Sequence, residues 1–340
     1  MFCSIDNEDA IMSYSLKKLF YIALSLVITL VGAFYTLNSP PHHSLPKVAI
    51  ANWGPHSSLH DTIRGIEDEL THLGLQENQD FVFETLDVNF DPTLIMQMLA
   101  KLKASHPTVL VAISTPVAQA AKNSVKNIPI LFADITDPVD AGLIKADGHP
   151  YPNISGASDK QDLTVFLEFA QKVLPHAKRI GLLYATGEAN DAALVKMMEQ
   201  AAQHFGMEVI SIPVEHARDV ALNMQALNGK VDFIYVGVSG TIQPSLAAIA
   251  HEANKMKIPV FNADSAAVKN HLVLGSFGVS YYQVGVNTAH LIYQILQGKN
   301  VDTLAPIYPN KTDHQGYISR KNADKVAIDV DSFANITIVE

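Results

Sequence analysis

Two hydroxyl residues followed by a proline stand where a predicted strand ends. Ser114 and Thr115 come directly before Pro116, after the apolar run that begins at Val109. A serine or threonine before proline is typical of a helix start, where backbone N–H groups are free. Such an end can bind a carboxylate, because the N–H groups and the helix dipole both favour negative charge. Thr115 could also serve only as the cap of its own helix, and the two roles are compatible.

Acidic side chains stand at comparable positions. Asp137 precedes Pro138, and Asp264 follows a later predicted strand. A carboxylate there can accept hydrogen bonds from the first turn of a helix. It can also pair with an ammonium group, since ligands bind beyond the carboxyl ends of strands in open parallel sheets. The pattern leaves both roles open for each residue.

Aromatic and polar residues complete the set of candidates. Trp53 is the only tryptophan of the chain and follows the first predicted strand. A ring in such a loop suits stacking on a ligand, although it could instead belong to the core. The second half contributes candidates at its own strand ends, namely Tyr184, Glu188, Asn190 and Ser239.

Motifs of metal, nucleotide and catalytic sites are absent from the sequence. His56 and His60 could share a helix face, but neither HExxH nor a Cys/His cluster occurs, so solvated histidines are the better interpretation. GxSxG, GxxxxGK[ST] and GxGxxG are also missing. We therefore expect no metal, no cofactor and no enzymatic activity. A formal net charge of −10 without a Lys/Arg stripe argues against nucleic acid as a partner.

An uncharged apolar segment precedes the remainder of the chain. Lys17 and Lys18 are followed by a stretch without Asp, Glu, Lys or Arg that ends at residue 46. A helix over residues 19–37 would reach about 28 Å, enough to span the hydrocarbon core. Residues 1–46 are thus predicted to be a signal peptide or membrane anchor plus a linker, with the rest exported, and a buried core helix is the alternative. Cys3, the only cysteine, precedes the segment and cannot provide a lipid anchor after it.

Short β-branched runs alternate with amphipathic segments from residue 47 onward. This alternation is typical of parallel sheets covered by helices. Predicted strands cover residues 48–52, 80–88, 109–114 and 128–133, then 179–184, 208–214, 232–239 and 258–263. Helices are predicted from about residues 57, 92, 116 and 138, then from about residues 188, 218, 244 and 264.

The two halves also resemble each other in sequence. IPILFAD at 128–134 matches IPVFNAD at 258–264, and KVAI at 47–50 matches RIGL at 179–182. The predicted fold class is therefore α/β, with two similar doubly wound parallel-sheet lobes joined by a multi-stranded hinge and preceded by the apolar helix.

The predicted division of the chain follows from this repeat. Lobe 1 comprises residues 47–153 and 276–307, and lobe 2 comprises residues 154–275 and 308–340. A helix predicted over residues 282–296 belongs to lobe 1 in this scheme. Several thin crossings between lobes would permit hinge closure around a ligand.

Several segments resemble the periplasmic substrate-binding proteins of ABC transporters, in particular the group that includes tryptophan- and tyrosine-binding components. The resemblance spans about residues 47–328, and its most specific pieces are AISTPVAQA at 112–120, IPI at 128–130, TDPV at 136–139, AGL at 141–143, GLLY at 181–184 and EAN at 188–190. It implies the type I periplasmic-binding-protein fold and transfer of the ligand to a membrane permease driven by an ATPase.

The same resemblance implies roles for individual residues. Ser114, Thr115 and the amides near Glu188 to Asn190 would hold a carboxylate. Asp137 and Asp264 would be candidates for an ammonium group. The predicted function is that of a monomeric extracytoplasmic solute-binding protein of an ABC importer. Its ligand would be a small zwitterion, foremost an α-amino acid, with an aromatic side chain as one option.

Two alternatives stay open at this stage. A chain of the same fold could bind another small polar solute, such as a sugar. It could instead be a membrane-tethered ligand sensor, which would require an uncleaved N-terminal helix. The expected location is periplasmic, with a tether to the inner membrane if the leader is retained.

Overall fold

Two sheets organise the chain from Leu45 onward in the computed structural model. The structure describes residues 21, 24–29, 45–333 and 336–340. The chain divides into two units, Met1–Ser44 and Leu45–Glu340, and both sheets belong to the second unit. The α/β class with two parallel-sheet lobes predicted from the sequence is confirmed.

The first sheet is parallel throughout. Its strands are β1 (Lys47–Asn52), β2 (Val82–Asp87), β3 (Val109–Ile113), β4 (Ile130–Ala133) and β5 (Ile154–Ala157), and its helices in this stretch are α1 (Ser57–His72), α2 (Ile95–Ala104) and α3 (Thr115–Ser124). The strand order is β2-β1-β3-β4-β5. Every residue of β3 and β4 is buried, which explains their uninterrupted apolar runs.

The second sheet contains the later strands. These are β6 (Arg179–Ala185), β7 (Glu208–Val214), β8 (Phe233–Val236), β9 (Val260–Asn262), β10 (Gly275–Val279), β11 (His314–Ser319) and β12 (Thr337–Val339). Their order is β12-β11-β10-β9-β8-β6-β7, and the β10–β11 pair is antiparallel. The helices of this part are α4 (Leu163–Val173), α5 (Ala189–His204), α6 (Val220–Asn223), α7 (Leu246–Met256), α8 (Ser265–Lys269), α9 (Tyr281–Leu296) and α10 (Arg320–Asp324).

Helix α9 returns to the first sheet and packs on α1. A Cβ atom at Gly65 would lie 2.2 Å from the carbonyl oxygen of Tyr282, and one at Gly285 would lie 2.1 Å from that of Thr62. Glycine is therefore required for the two helices to approach this closely. The apolar face of α9, including Ile292, is buried in the core of the first sheet.

The helix predicted from residue 138 does not form. The Asp137 carboxylate accepts the N–H groups of Val139 and Asp140 at 3.0 and 3.1 Å, which starts a single turn. Gly142, with φ of 69°, ends that turn. Helix α9 contacts β4 and β5 in this part of the fold.

The crossings between the sheets fall slightly later than expected. Strand β5 pairs with β4 in the first sheet, although the sequence analysis placed residue 154 at the start of lobe 2. Strand β10 pairs with β9 in the second sheet, so the chain returns to the first sheet after Val279. The remaining lobe limits stay predictions.

The apolar segment predicted over residues 19–37 lies mostly outside the described residues. Tyr21 and residues 24–29 are helical and exposed. Within the described part of the chain, no helix combines the length and apolar character needed to cross a membrane.

Candidate functional site

A cavity lies beyond the carboxyl ends of both sheets. One wall follows strands of the first sheet, and the facing wall follows strands of the second. The cavity is lined by Trp53, His56, Ser58, Leu59, Phe90, Ser114, Thr115, Pro116, Asp134, Thr136, Asp159, Glu188, Asn190, Val238, Ser239, Gly240, Gln243 and Pro244. Six of the nine candidates from the sequence lie here: Trp53, Ser114, Thr115, Glu188, Asn190 and Ser239.

The start of helix α3 presents an unused hydroxyl to the cavity. Ser114 makes no side-chain cap to the helix, and its backbone has φ of 78°. The Thr115 hydroxyl is buried without a hydrogen-bond partner among the described residues. The hydroxyls therefore do not serve as caps here, and the free helix end beside them can bind an anion.

Two buried carboxyl groups lie on the same side of the cavity. The Thr62 hydroxyl donates to both carboxylate oxygens of Asp134, at 3.0 and 2.8 Å. The Tyr281 hydroxyl donates to Asp159 at 3.2 Å, and the other carboxylate oxygen of Asp159 has no partner within the described chain. Burial, reinforced by Asp159, raises the pKa of Asp134 well above its ordinary value. Burial raises the pKa of Asp159 to about 6.

Two aromatic rings form one corner of the cavity lining. The rings of Trp53 and Phe90 meet edge to face, with centroids 6.2 Å apart. Trp53 is only 6% exposed, and its indole nitrogen lies against Gly240 of the facing wall. His56 lies beside this corner with Nδ1 at 2.7 Å from the Ser58 hydroxyl. Burial lowers the pKa of His56, and the nearby Asp264 opposes that change.

The facing wall carries its own negative charge. The Glu188 carboxylate accepts the N–H groups of Gly240 and Thr241 at 2.9 and 2.8 Å. These amides are therefore occupied by a side chain of the protein itself. Asn190 donates to the carbonyl of Val238 at 3.1 Å, while its amide oxygen is buried and has no partner in the described residues.

The other three candidates are not part of the cavity lining. Asp137 pairs with Lys160 at 2.6 Å in a separate groove, because Lys160 comes within reach where the chain leaves the first sheet. Burial alone would raise the pKa of Asp137. The hydrogen bonds from Lys160 and from the N–H of Asp140 outweigh burial and lower this pKa below its ordinary value. Asp264 caps α8 by accepting the N–H of Ala266. Tyr184 lies partly buried within β6.

Sequence reasoning did not select several residues of the cavity. Asp134 had a signal, because it occupies the position of Asp264 in the repeated segment. Asp159 had none, since it follows β5 in a segment without a recognisable pattern. His56 was considered only for metal binding, and the described residues contain no group of three potential metal ligands. Phe90, which lines the cavity beside Trp53, had no signal either, since it lies in the loop after β2 outside any motif.

A second chamber adjoins the main cavity. Thr136, Asp159, Asn190 and Val238 line both spaces, and the chamber is also bounded by apolar residues such as Leu194 and by polar residues such as Gln161. Asp191 lies at its edge and accepts the N–H of Ala185 at 2.5 Å. Burial, reinforced by Glu188, raises the pKa of Asp191 to about 8.

Known proteins share this architecture. The family model of ABC transporter substrate binding proteins matches residues 47–332. A tyrosine-binding protein of Clostridioides difficile is 30% identical over 254 residues, which cover 75% of this chain and 73% of that protein.

Two solved structures also align over most of their length. A Streptococcus pneumoniae ABC domain in complex with L-Trp has a TM-score of 0.79 and 26% identity, covering 84% of this chain and 96% of that one. The ligand-free, open structure of a Clostridium difficile substrate binding protein has a TM-score of 0.68 and 28% identity, covering 87% and 99%. From the fold, the cleft and these matches, we conclude that the chain belongs to the family of ABC transporter substrate binding proteins.

Proposed function

We propose that this chain binds an aromatic α-amino acid, tyrosine or tryptophan, between its lobes and delivers it to an ABC importer. The observation that carries the proposal is the pairing of unsatisfied groups in the cavity. Asp159 offers a carboxylate oxygen without a partner, and Thr115 offers a hydroxyl without one, among the residues described. The negatively charged acceptor suits the ammonium of a zwitterion, and the hydrogen-bond donor at the helix end suits its carboxylate.

The ligand carboxylate would bind at the start of α3. The Thr115 hydroxyl has no partner among the described residues, and the first turn of α3 adds backbone N–H groups that lack intrahelical acceptors. The amides near Glu188 were the other expected carboxylate site. Since Glu188 itself occupies the N–H groups of Gly240 and Thr241, we assign the ligand carboxylate to the first lobe.

The ligand ammonium would bind at the Asp134–Asp159 pair. Both carboxyls are buried, and neither forms an ion pair within the described residues. A buried carboxylate without a cation is costly, so an ammonium that enters the site supplies the missing positive charge. Asp137 and Asp264, expected from the sequence for this role, are engaged by Lys160 and by the start of α8.

The aromatic side chain of the ligand would pack against Trp53 and Phe90. An additional aromatic ring beside this pair adds about 0.5 to 1.5 kcal/mol beyond its buried area. The two relatives support this class of ligand, since one is a tyrosine-binding protein and the other was solved with L-Trp.

Hinge closure would trap the ligand. Contacts across the cleft join Trp53 to Gly240 and the Ser57 hydroxyl to Asp264 at 3.3 Å. The higher TM-score to the L-Trp complex than to the ligand-free, open structure supports a closed arrangement. The ligand stabilises this state because it contacts both lobes at once.

Membership of the family supports the remaining assignments. The protein would act outside the cytoplasm as a monomer, with a permease and its ATPase as partners. Whether its leader is cleaved or retained as a tether stays a prediction of the sequence. No enzymatic role is proposed, because the family consists of substrate-binding proteins.

Isothermal titration of the purified chain tests the proposal. The titrants are the twenty amino acids, glucose, galactose and arabinose. We expect L-tyrosine or L-tryptophan to bind with a Kd in the micromolar range or below, and L-alanine to bind at least about 100-fold more weakly. Binding of a sugar without binding of any amino acid would refute the proposal.

A further inference from the structure

Asp134 and Asp159 form a buried pair of acids whose ionisation needs a positive charge nearby. Both carboxyls line one cavity and are connected through Thr62 and Tyr281. The Thr62 hydroxyl lies within 3.2 Å of the Tyr281 carbonyl as well as against Asp134, which fixes the two acids relative to each other. Neutral hydroxyls are thus the side-chain donors that reach the pair, and they do not cancel its charge.

The surrounding ionisable groups do not neutralise the pair either. They are Tyr235, Tyr281, His56, Glu188, Asp191 and Asp264. Burial raises the pKa of both tyrosines and lowers that of His56, so these three are neutral near pH 7. The other three are acids and add only negative charge. Lys160, next to Asp159 in the chain, is engaged with Asp137.

Two adjacent buried carboxyls without a cation cannot both ionise cheaply, so the empty site retains a proton. We propose that the ligand ammonium replaces this proton, so that binding of each amino acid releases about one proton to the solvent. The proton leaves a carboxyl oxygen for buffer, and the ammonium takes its place with its own three N–H donors unchanged. This inference rests on the proposed function and adds that recognition of the amino group is coupled to deprotonation.

Coupling of this kind has a direction. The ligand and a proton compete for the same pair, so acidification weakens binding. The α-ammonium of the ligand stays charged between pH 5 and about pH 8, so the loss of affinity on acidification originates in the protein. A deaminated analogue cannot replace the proton and should neither release it nor show the same dependence on pH.

Calorimetry in several buffers tests the proposal. L-Tyrosine and L-tryptophan are titrated into the full chain at pH 7 in phosphate, imidazole and Tris, whose ionisation enthalpies differ. The slope of observed enthalpy against buffer ionisation enthalpy gives the number of protons released. We expect roughly 0.5 to 1 for the native protein and less than about 0.2 for Asp134→Asn.

Asp191→Asn is the matched control, because Asp191 is also a buried acid with a raised pKa but does not contact the pair. It should release as many protons as the native protein. Native protein that binds either amino acid with a slope of zero would overturn this inference and leave the proposed function standing. Absence of binding by every amino acid would overturn both.

A second measurement covers the case in which Asp134→Asn does not fold. The affinity of the native protein for L-tyrosine is followed from pH 8 to pH 5, and it should fall by up to about tenfold per pH unit. The affinity for 3-(4-hydroxyphenyl)propanoate should be at least about 100-fold weaker at pH 8, and that ratio should shrink toward pH 5. A ratio that is constant over this range would refute proton replacement.

Discussion

Asp159 illustrates how position alone sets the charge of a side chain. It is 4% exposed, and one of its oxygens has no partner among the described residues. Burial therefore raises its pKa to about 6, from a value of 3.8. The protonated form stabilises the folded chain fully below about pH 4, and this contribution is lost as the pH rises through about 6.

Asp159→Asn should consequently stabilise the ligand-free protein at high pH. Asparagine cannot ionise, so the variant should gain up to about 3 kcal/mol over the native chain at pH 8 and little at pH 4. Urea unfolding at both pH values measures this difference. Asp147→Asn, at an exposed position, should differ from the native protein by less than about 0.5 kcal/mol. Equal stability of native and Asp159→Asn proteins at pH 8 would contradict the prediction.

Thr115→Val should separate ligand binding from stability. Valine has a similar shape and removes a buried hydroxyl that has no partner in the described chain, so the melting temperature should not fall. Affinity for L-tyrosine should decrease by about 10- to 100-fold, since a hydrogen bond to the charged carboxylate is lost.

Thr288→Val provides the matched control for Thr115→Val. Thr288 is buried too, but its hydroxyl donates to the Val284 carbonyl within α9, and Thr288 is not part of the cavity lining. Its loss should lower stability and leave affinity unchanged. Unaltered affinity of Thr115→Val would remove the hydroxyl from the carboxylate site.

The roles of residues at helix starts were predictable from the sequence. The roles of residues in the segment where the chain leaves the first sheet were not. Ser114 and Thr115 carry a local signature, because hydroxyl and proline preferences are set by the first helical turn. Asp137 carries the same signature, but its partner Lys160 comes from a different segment. Asp159 acquires its role only when Tyr281 meets it, 122 residues later in the chain.

At the scale of elements, helix α9 depends on a glycine contact. Gly65 and Gly285 allow the backbones of α1 and α9 to touch, and Thr62 of α1 also holds Asp134. The helix pair thus positions Asp134 in the cavity and also forms part of the core of the first sheet.

Gly285→Ala should destabilise the protein by about 1 to 3 kcal/mol, despite the better helix propensity of alanine. The added Cβ would lie 2.1 Å from a backbone oxygen of Thr62, so the helices must separate. Denaturant unfolding measures the change. Gln283→Ala, on the exposed side of the same helix, should stay within about 0.5 kcal/mol of the native protein. A Gly285→Ala variant as stable as the native chain would show that the helices can separate without cost.

Strands with a continuous apolar run were predicted well. The fully buried strands β3 and β4 read as continuous apolar runs, because helices cover both faces of the sheet. The helix predicted from residue 138 failed for a local reason, since Gly142 stops it after one turn. A cap signal identifies where a helix can begin but does not determine its length.

At the scale of the whole molecule, the opposite walls of the cavity contact each other at Gly240. A Cβ atom there would lie 2.1 Å from the indole nitrogen of Trp53. Any larger residue would therefore hold the walls apart while leaving each sheet intact.

Gly240→Val should accordingly lower affinity for L-tyrosine by at least about tenfold at an unchanged melting temperature. Small-angle X-ray scattering should show that the ligand contracts the native protein and not the variant. Gly187→Ala is the control, because a Cβ at that position meets nothing within 4 Å. Contraction of Gly240→Val on ligand addition would show that the contact does not limit closure.

The position of the Glu188 carboxylate suggests the order in which the two lobes contact the ligand. It accepts the N–H groups of Gly240 and Thr241, so these donors of the second wall are engaged and the Glu188 charge repels a ligand carboxylate. In the proposed binding mode, both charged ends of an amino acid are held by the first wall. We expect the amino acid to dock on the open first lobe in a single orientation, with the second lobe arriving last as a cover over its side chain.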